Sequence, residues 1–356
     1  MAVTQQQIED GLRSPDMRIR LKWAMNTSFT PTPEQVERGI TDAEFYVRWT
    51  WVGRMDFTPT PEQIERGLTD IDPRIRSAWA ARTDFISTPE QVERGLTDEH
   101  WDPRQAWAER RDYALTPEII EKGMTDEAFQ VRCSWARRTD ITPSPEQVER
   151  GLTDENEWVR NQWISRKDFF PTPEHIERGL SDPEKVVRWA FAEQMHWTPT
   201  LEQLERGLED ESSDVVNAWI HREDVHCSSE QIERGLTSTK WDVRKVWAEF
   251  DFTPTPEQIE RGLTDKDPDV RLAWASRHDY VASMEQIQRG LKERVDYVKE
   301  AWILRKEFHP TPGQCKRGLK SKNKVIRSAW EQKVCSMHEE KWNESEDECD
   351  SMDMFI

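Results

Sequence analysis

The chain has 356 residues, of which 33% are charged and 35% hydrophobic, and a formal net charge of −19; these values exclude one conventional core and favour a thin, surface-rich shape. Eighteen Trp residues exclude wholesale disorder, because so much aromatic area is normally buried. The opening "MAVTQQQIEDGLRSPD" has no signal-peptide pattern, and no apolar run approaches the roughly 18–20 residues of a membrane span. The five Cys are scattered, odd in number and never spaced C-x-x-C, which fits a protein of the reducing cytoplasm with free thiols.

From the N-terminus onward one spacing dominates. Gly11, Gly39, Gly67, Gly95, Gly123, Gly151, Gly179, Gly207, Gly235, Gly262, Gly290 and Gly318 follow at steps of 28, except the step of 27 from Gly235 to Gly262. An aromatic series keeps the same step: Trp23, Trp51, Trp79, Trp107, Trp135, Trp163, Phe191, Trp219, Trp247, Trp274, Trp302 and Trp330. "FTPTPEQIERGLTD" occurs at 57–70 and again, letter for letter, at 252–265. The array covers residues 1–337, with about twelve units of 28 residues starting near residue 3.

Within the copy around Gly67, Thr60 is the N-cap, Pro61 the first helical residue and Gln63 the partner in a capping box, which predicts a helix over about 61–68. Gly67 lies on its apolar face with Ile64 and Leu68; it admits a neighbouring backbone or starts the exit turn. "TDIDP" then predicts a second helix over about 72–82, with an apolar stripe of Ile75, Ala78 and Trp79. The stripe assigns the eleven Trp of the series to the core. Two such short helices cannot stand alone, so the fold class is all-α, a solenoid of two-helix repeats.

The pattern "TPEQVERGLTD…DPxVRxAWAxR" resembles the leucine-rich-variant and HEAT-like repeat class. It does so through Thr255-Pro256-Glu257, Asp267-Pro268, Val270-Arg271 and Ala273-Trp274-Ala275. The chain departs from that class in its longer period and in placing Trp where the class has a small aliphatic residue. The resemblance implies a right-handed curved solenoid and no activity; some HEAT-like proteins bind DNA and many bind proteins.

Two rows of Arg accompany the repeat. One follows the Val or Ile of the second helix (Arg48, Arg76, Arg104, Arg132, Arg160, Arg188, Arg244, Arg271, Arg327); the other precedes the Gly, as Arg66 and Arg94 do. Equally periodic Asp rows, of the Asp70 and Asp84 types, predict an ion-pair lattice between repeats. The residues 183–251 break the pattern most, with Phe191 for Trp, Gln194 and Val216 for Arg, and the deletion. Irregular aromatics precede the second helix at Phe45, Tyr46, Trp101, Phe129, Trp158 and Trp241. With Gln194 and Val216 they form the candidate partner-binding set.

Charge divides the chain further. Residues 280–337 hold 13 Lys and Arg against 6 Asp and Glu, a basic cap, whereas 338–356 hold one Lys against eight carboxylates, an acidic tail expected to be flexible and to fold back on the cap. The remaining acidic ribbon repels nucleic acid and steers basic partners. His221, His226 and Cys227 lack the second ligand pair of a zinc site, and no phosphate loop or nucleophile elbow occurs. The sequence therefore predicts no cofactor, no metal, no membrane and no catalysis. It predicts a scaffold for a partner with a basic surface, in a sharper form a nucleic-acid mimic that inhibits a host-defence or DNA-binding protein. The alternative is a nucleic-acid binder using the Arg rows and the basic cap.

Overall fold

The computed structural model describes residues 4–337, and among them there are helices, turns and short extended links but no strand. The chain is an all-α solenoid of tandem two-helix repeats. Twelve helix pairs follow the glycine spacing, seven in a first compact unit ending at His196 and five in a second beginning at Trp197. The acidic tail expected over 338–356, and its return onto the basic cap, lie outside the described residues.

Local chemistry sets each repeat. In the copy around Gly67 the first helix is Pro61–Leu68; the Thr60 hydroxyl accepts from the Gln63 amide and the Gln63 side chain accepts from the Thr60 amide. The Thr69 hydroxyl closes the far end by donating to the Glu65 carbonyl at 2.8 Å. Asp70 and Asp72 then shape the turn, each accepting an amide two residues ahead. The second helix is Pro73–Ala80, shorter at both ends than the expected 72–82, because Asp72 stays outside as N-cap and the chain leaves the helix before Arg82. Within each unit successive second helices pack on one another, Pro73–Ala80 against Trp101–Glu109 and Trp241–Glu249 against Pro268–Ser276. Each first helix lies on its own second helix.

The core is the seam between the two helices of a repeat. Trp51, Trp79, Trp107, Trp135, Trp163, Phe191, Trp219, Trp247, Trp274, Trp302 and Trp330 are buried, and Trp23, at the first repeat, is half-buried. Each repeat's Gly explains the fit. A Cβ built on Gly67 would lie 2.2–2.3 Å from the Trp79 ring, so the glycine accommodates an indole of its own repeat rather than a neighbouring backbone. Its dihedral angles are ordinary, as no glycine has a positive φ. Gly67→Ala should therefore destabilise by about 1–3 kcal/mol through overpacking, against the roughly 1 kcal/mol gain that Ala brings to an open helix. Gly313, whose Cβ would find only Arg317 Nη1 at 3.8 Å, is the control: Gly313→Ala should leave the urea midpoint unchanged or raised.

Candidate functional site

The repeated charges fall into those the fold consumes and those it leaves over. Arg82 leaves its helix and turns back onto the preceding repeat. Its Nη1 donates to the carbonyls of Val52 at 2.6 Å and Arg54 at 2.7 Å, while Nε donates to Asp84 at 3.0 Å. The guanidinium sits 5.4 Å over the Trp79 ring and 4.7 Å over Phe57. Arg54, Arg110, Arg138, Arg166, Arg222, Arg277 and Arg305 repeat the arrangement, and Arg138 is wholly buried. Hydrogen bonds from Arg166 and Arg222 hold Asp168 and Asp224 below the usual carboxylate range.

The second row is consumed as well. Arg76 Nε donates to Asp98 of the next repeat at 2.7 Å and its Nη1 to the Asp70 carbonyl at 2.9 Å. Arg48, Arg104, Arg132, Arg160 and Arg244 do the same with Asp70, Asp126, Asp154, Asp182 and Asp265. These arginines are buried, so no row of free cations remains there to follow a phosphate backbone.

The row before the glycine clamps first helices together. Arg94 lies 2.8 Å from Glu65 of the preceding repeat, joined by Gln91 at 3.3 Å; Gln147 and Arg150 hold Glu121 at 3.2 and 2.6 Å. In the first unit one junction lacks this clamp. Ile119 replaces the Gln and Lys122 the Arg, and among the described residues the side chains of Glu93 and Lys122 have no hydrogen-bonding or ionic partner. Between Pro89–Leu96 and Pro117–Met124 a groove of about 630 Å³ opens, lined by Val92, Leu96, Tyr113 and Ile119 with Glu93 and Lys122. Leu96 is half-exposed there, whereas its counterpart Leu68 is buried.

A second set of carboxylates is left over along the first helices. Their second residue is Glu34, Glu62, Glu90, Glu118, Glu146 and Glu174 in the first unit and Glu202, Glu230, Glu257 and Glu285 in the second. All ten are exposed and, among the described residues, none pairs with a cation. In the first unit each is held below the usual Glu range by its own amide and the N-cap hydroxyl, so acid neutralises the row later than it would free glutamates.

Of the aromatic candidates, Tyr46, Trp158 and Trp241 are exposed, and Phe45, Trp101 and Phe129 are half-buried. Phe45 gathers Tyr46 at 5.2 Å and Trp49 at 5.8 Å, with Arg74 3.8 Å above its ring. Trp101, Phe129 and Trp241 stand six residues before the core Trp of their repeats, as Phe45 does, and Trp158 stands five before, as Tyr46 does, at intervals of one to three repeats. Trp49 was not among the sequence candidates, although its spacing of three from Tyr46 puts both on one helix edge.

Val216 must be corrected: it is fully buried and offers a partner nothing, because it fills the inner site that Arg76 fills elsewhere. Gln194 is half-buried and takes over an inter-repeat contact, donating to the Ile164 carbonyl at 2.9 Å as Arg138 does to Ala108. The deletion is also structural. Phe250 stands where that arginine is expected and packs on Trp247 at 5.7 Å.

The last repeats differ in charge. Lys316, Arg317, Lys320, Lys322 and Lys324 are exposed and, among the described residues, have no carboxylate partner. Among the described residues no three His, Cys, Asp or Glu side chains converge to hold a metal ion, and no helix is long and apolar enough to cross a membrane. Burial pushes the thiols of Cys133 and Cys227 up to about 11, which keeps them protonated and unreactive at neutral pH.

These features define an α-helical repeat protein whose fold resembles leucine-rich-variant and HEAT-like solenoids. No protein-family model and no curated protein matches the chain. Among solved structures, a leucine-rich repeat variant with a novel repetitive structural motif is 22% identical, over 70% of this chain and 88% of that one, with a TM-score of 0.41. Kap121p bound to RanGTP is 12% identical, over 94% of this chain and 48% of that one, with a TM-score of 0.44.

Proposed function

We propose that the chain is a non-catalytic protein-binding scaffold of the cytoplasm whose row of first-helix glutamates engages a basic partner surface. The observation that carries this reading is the contrast between two sets of charge. The second-helix arginines Arg48, Arg76, Arg104, Arg132, Arg160 and Arg244 are buried and paired, while the glutamates at the second position of the first helices are exposed and, among the described residues, pair with no cation. Carboxylates at one fixed interval are also what a mimic of a nucleic-acid backbone requires, so the partner is expected to be a protein with a cleft for nucleic acid. Such a partner would associate quickly and in a salt-dependent way.

A second reading, nucleic-acid binding, loses the arginine rows and rests on the unpaired cations around Lys316–Lys324 alone. One experiment separates the two. Full-length chain immobilised in nuclease-treated cell extract should retain a protein with a basic surface, identified by mass spectrometry and eluted by salt. Retention that disappears with nuclease, or a retained partner without a basic face, would contradict the scaffold reading.

A further inference from the structure

The junction between the helices Pro89–Leu96 and Pro117–Met124 departs from its neighbours in a directed way. Elsewhere in the first unit an Arg reaches back to a Glu of the preceding repeat, joined by a Gln or His in every copy but one, as Gln91 and Arg94 do to Glu65 and His175 and Arg178 to Glu149; in the exception Arg66 still meets Glu37 while Gln63 donates to the Pro33 carbonyl. Here both donors are replaced at once. Ile119 turns one wall apolar and deprives the helix of its capping box, although Thr116 still accepts from the Ile119 amide. Glu93 and Lys122 are left on facing helices with free charges of opposite sign. The opening of about 630 Å³ falls in the range of roughly 300–1,000 Å³ that binding pockets occupy.

We infer that this groove is a docking slot for an extended partner peptide, with one large apolar side chain held among Val92, Leu96 and Ile119. On one side of that anchor a cationic residue meets Glu93, and on the other a carboxylate meets Lys122. Charge complementarity selects this occupant, since the two ions that close other junctions are here available to a ligand. A buried anchor with flanking charges is also how a small peptide footprint gains affinity and direction. The inference rests on the reading of the chain as a protein-binding scaffold, but places a specific contact at one junction, where of the glutamate row only Glu118 lines the groove.

The test is selection from a random peptide library displayed on phage, against the immobilised full chain and against I119Q/K122R. That double variant restores the residues used at neighbouring junctions, so its thermal unfolding should match the parent. Selected peptides should share one aromatic or large aliphatic residue flanked by a base and an acid, and bind I119Q/K122R roughly tenfold or more weakly. K122E should exchange the preferred acid for a base. Absence of a shared pattern, or equal binding to both proteins, would overturn the inference. So would self-association of the parent that I119Q/K122R abolishes, because the occupant would then be a second copy. I119Q/K122R leaves every glutamate of the row in place, so a basic partner that it still retains separates failure of the slot from failure of the scaffold reading.

Discussion

Replacing Trp135 by Ala should cost about 3–5 kcal/mol, whereas Trp135→Phe should cost less than half as much. The indole is buried against Gly123, whose added Cβ would lie 2.1 Å from the ring, so the glycine has made room for a flat aromatic and nothing smaller fills it. Among the described residues the enclosed Nε1–H of Trp135 meets no protein acceptor, and neither do those of Trp51, Trp79, Trp219 and Trp247. The polar end of the ring therefore contributes no hydrogen bond that Phe would lose. The chain already carries the substitution once, as Phe191 over Gly179. Urea unfolding followed by Trp fluorescence and by amide exchange of the neighbouring helices would measure both variants, the latter because repeat arrays can unfold in parts.

Arg138→Ala is expected to cost about 2–4 kcal/mol, less than a fully buried ion pair because the Asp140 side chain remains 40% exposed. Arg138 itself is wholly enclosed. Its Nη1 donates to the Ala108 and Arg110 carbonyls at 2.8 and 2.9 Å, so truncation strands the end of the preceding repeat's second helix as well as a carboxylate. Arg138→Gln should recover part of the loss, since Gln194 keeps one such bond at its own junction. Arg138→Lys should do likewise, following Lys333, whose Nζ donates to the Arg305 carbonyl at 2.7 Å. Urea midpoints of the three variants would rank them Gln and Lys above Ala; a fully stable Ala variant would show that the carbonyl contacts contribute little.

How far the sequence could be read depended on how local each determinant is. The first helix expected at about 61–68 is Pro61–Leu68, because cap, proline and box all lie within four residues. The second was expected too long, as a helix pattern does not reveal that Asp72 caps from outside or that Arg82 leaves to bind the previous repeat. The ion pairs of the Arg76 row with the Asp70 row were legible because both partners recur at fixed spacing; the Asp84 row instead pairs inside its own repeat, with the Arg82 row two residues earlier, and the Arg94 row meets Glu65-type carboxylates. The carbonyls that Arg82 holds, 28 and 30 residues earlier, were not, since backbone acceptors leave no trace in side-chain identity. The role of Gly67 was misread for a related reason: its contact lies across the interhelix turn, at Trp79. The groove at Ile119 and Lys122 was visible in principle as two substitutions in one copy. Its meaning required knowing which Glu they would have met.

If recognition uses the charges the lattice leaves over, the affinity of the captured partner measures it directly. Wild-type chain and the variant E62Q/E90Q/E118Q/E146Q should be titrated with that partner at several salt concentrations. Because these exposed side chains pair with no cation among the described residues, the variant should stay folded, with its midpoint lowered only by the loss of charge at the helix N-termini, yet bind at least roughly tenfold more weakly and with a shallower salt dependence. Equal affinity and equal salt dependence in the two proteins would contradict the account.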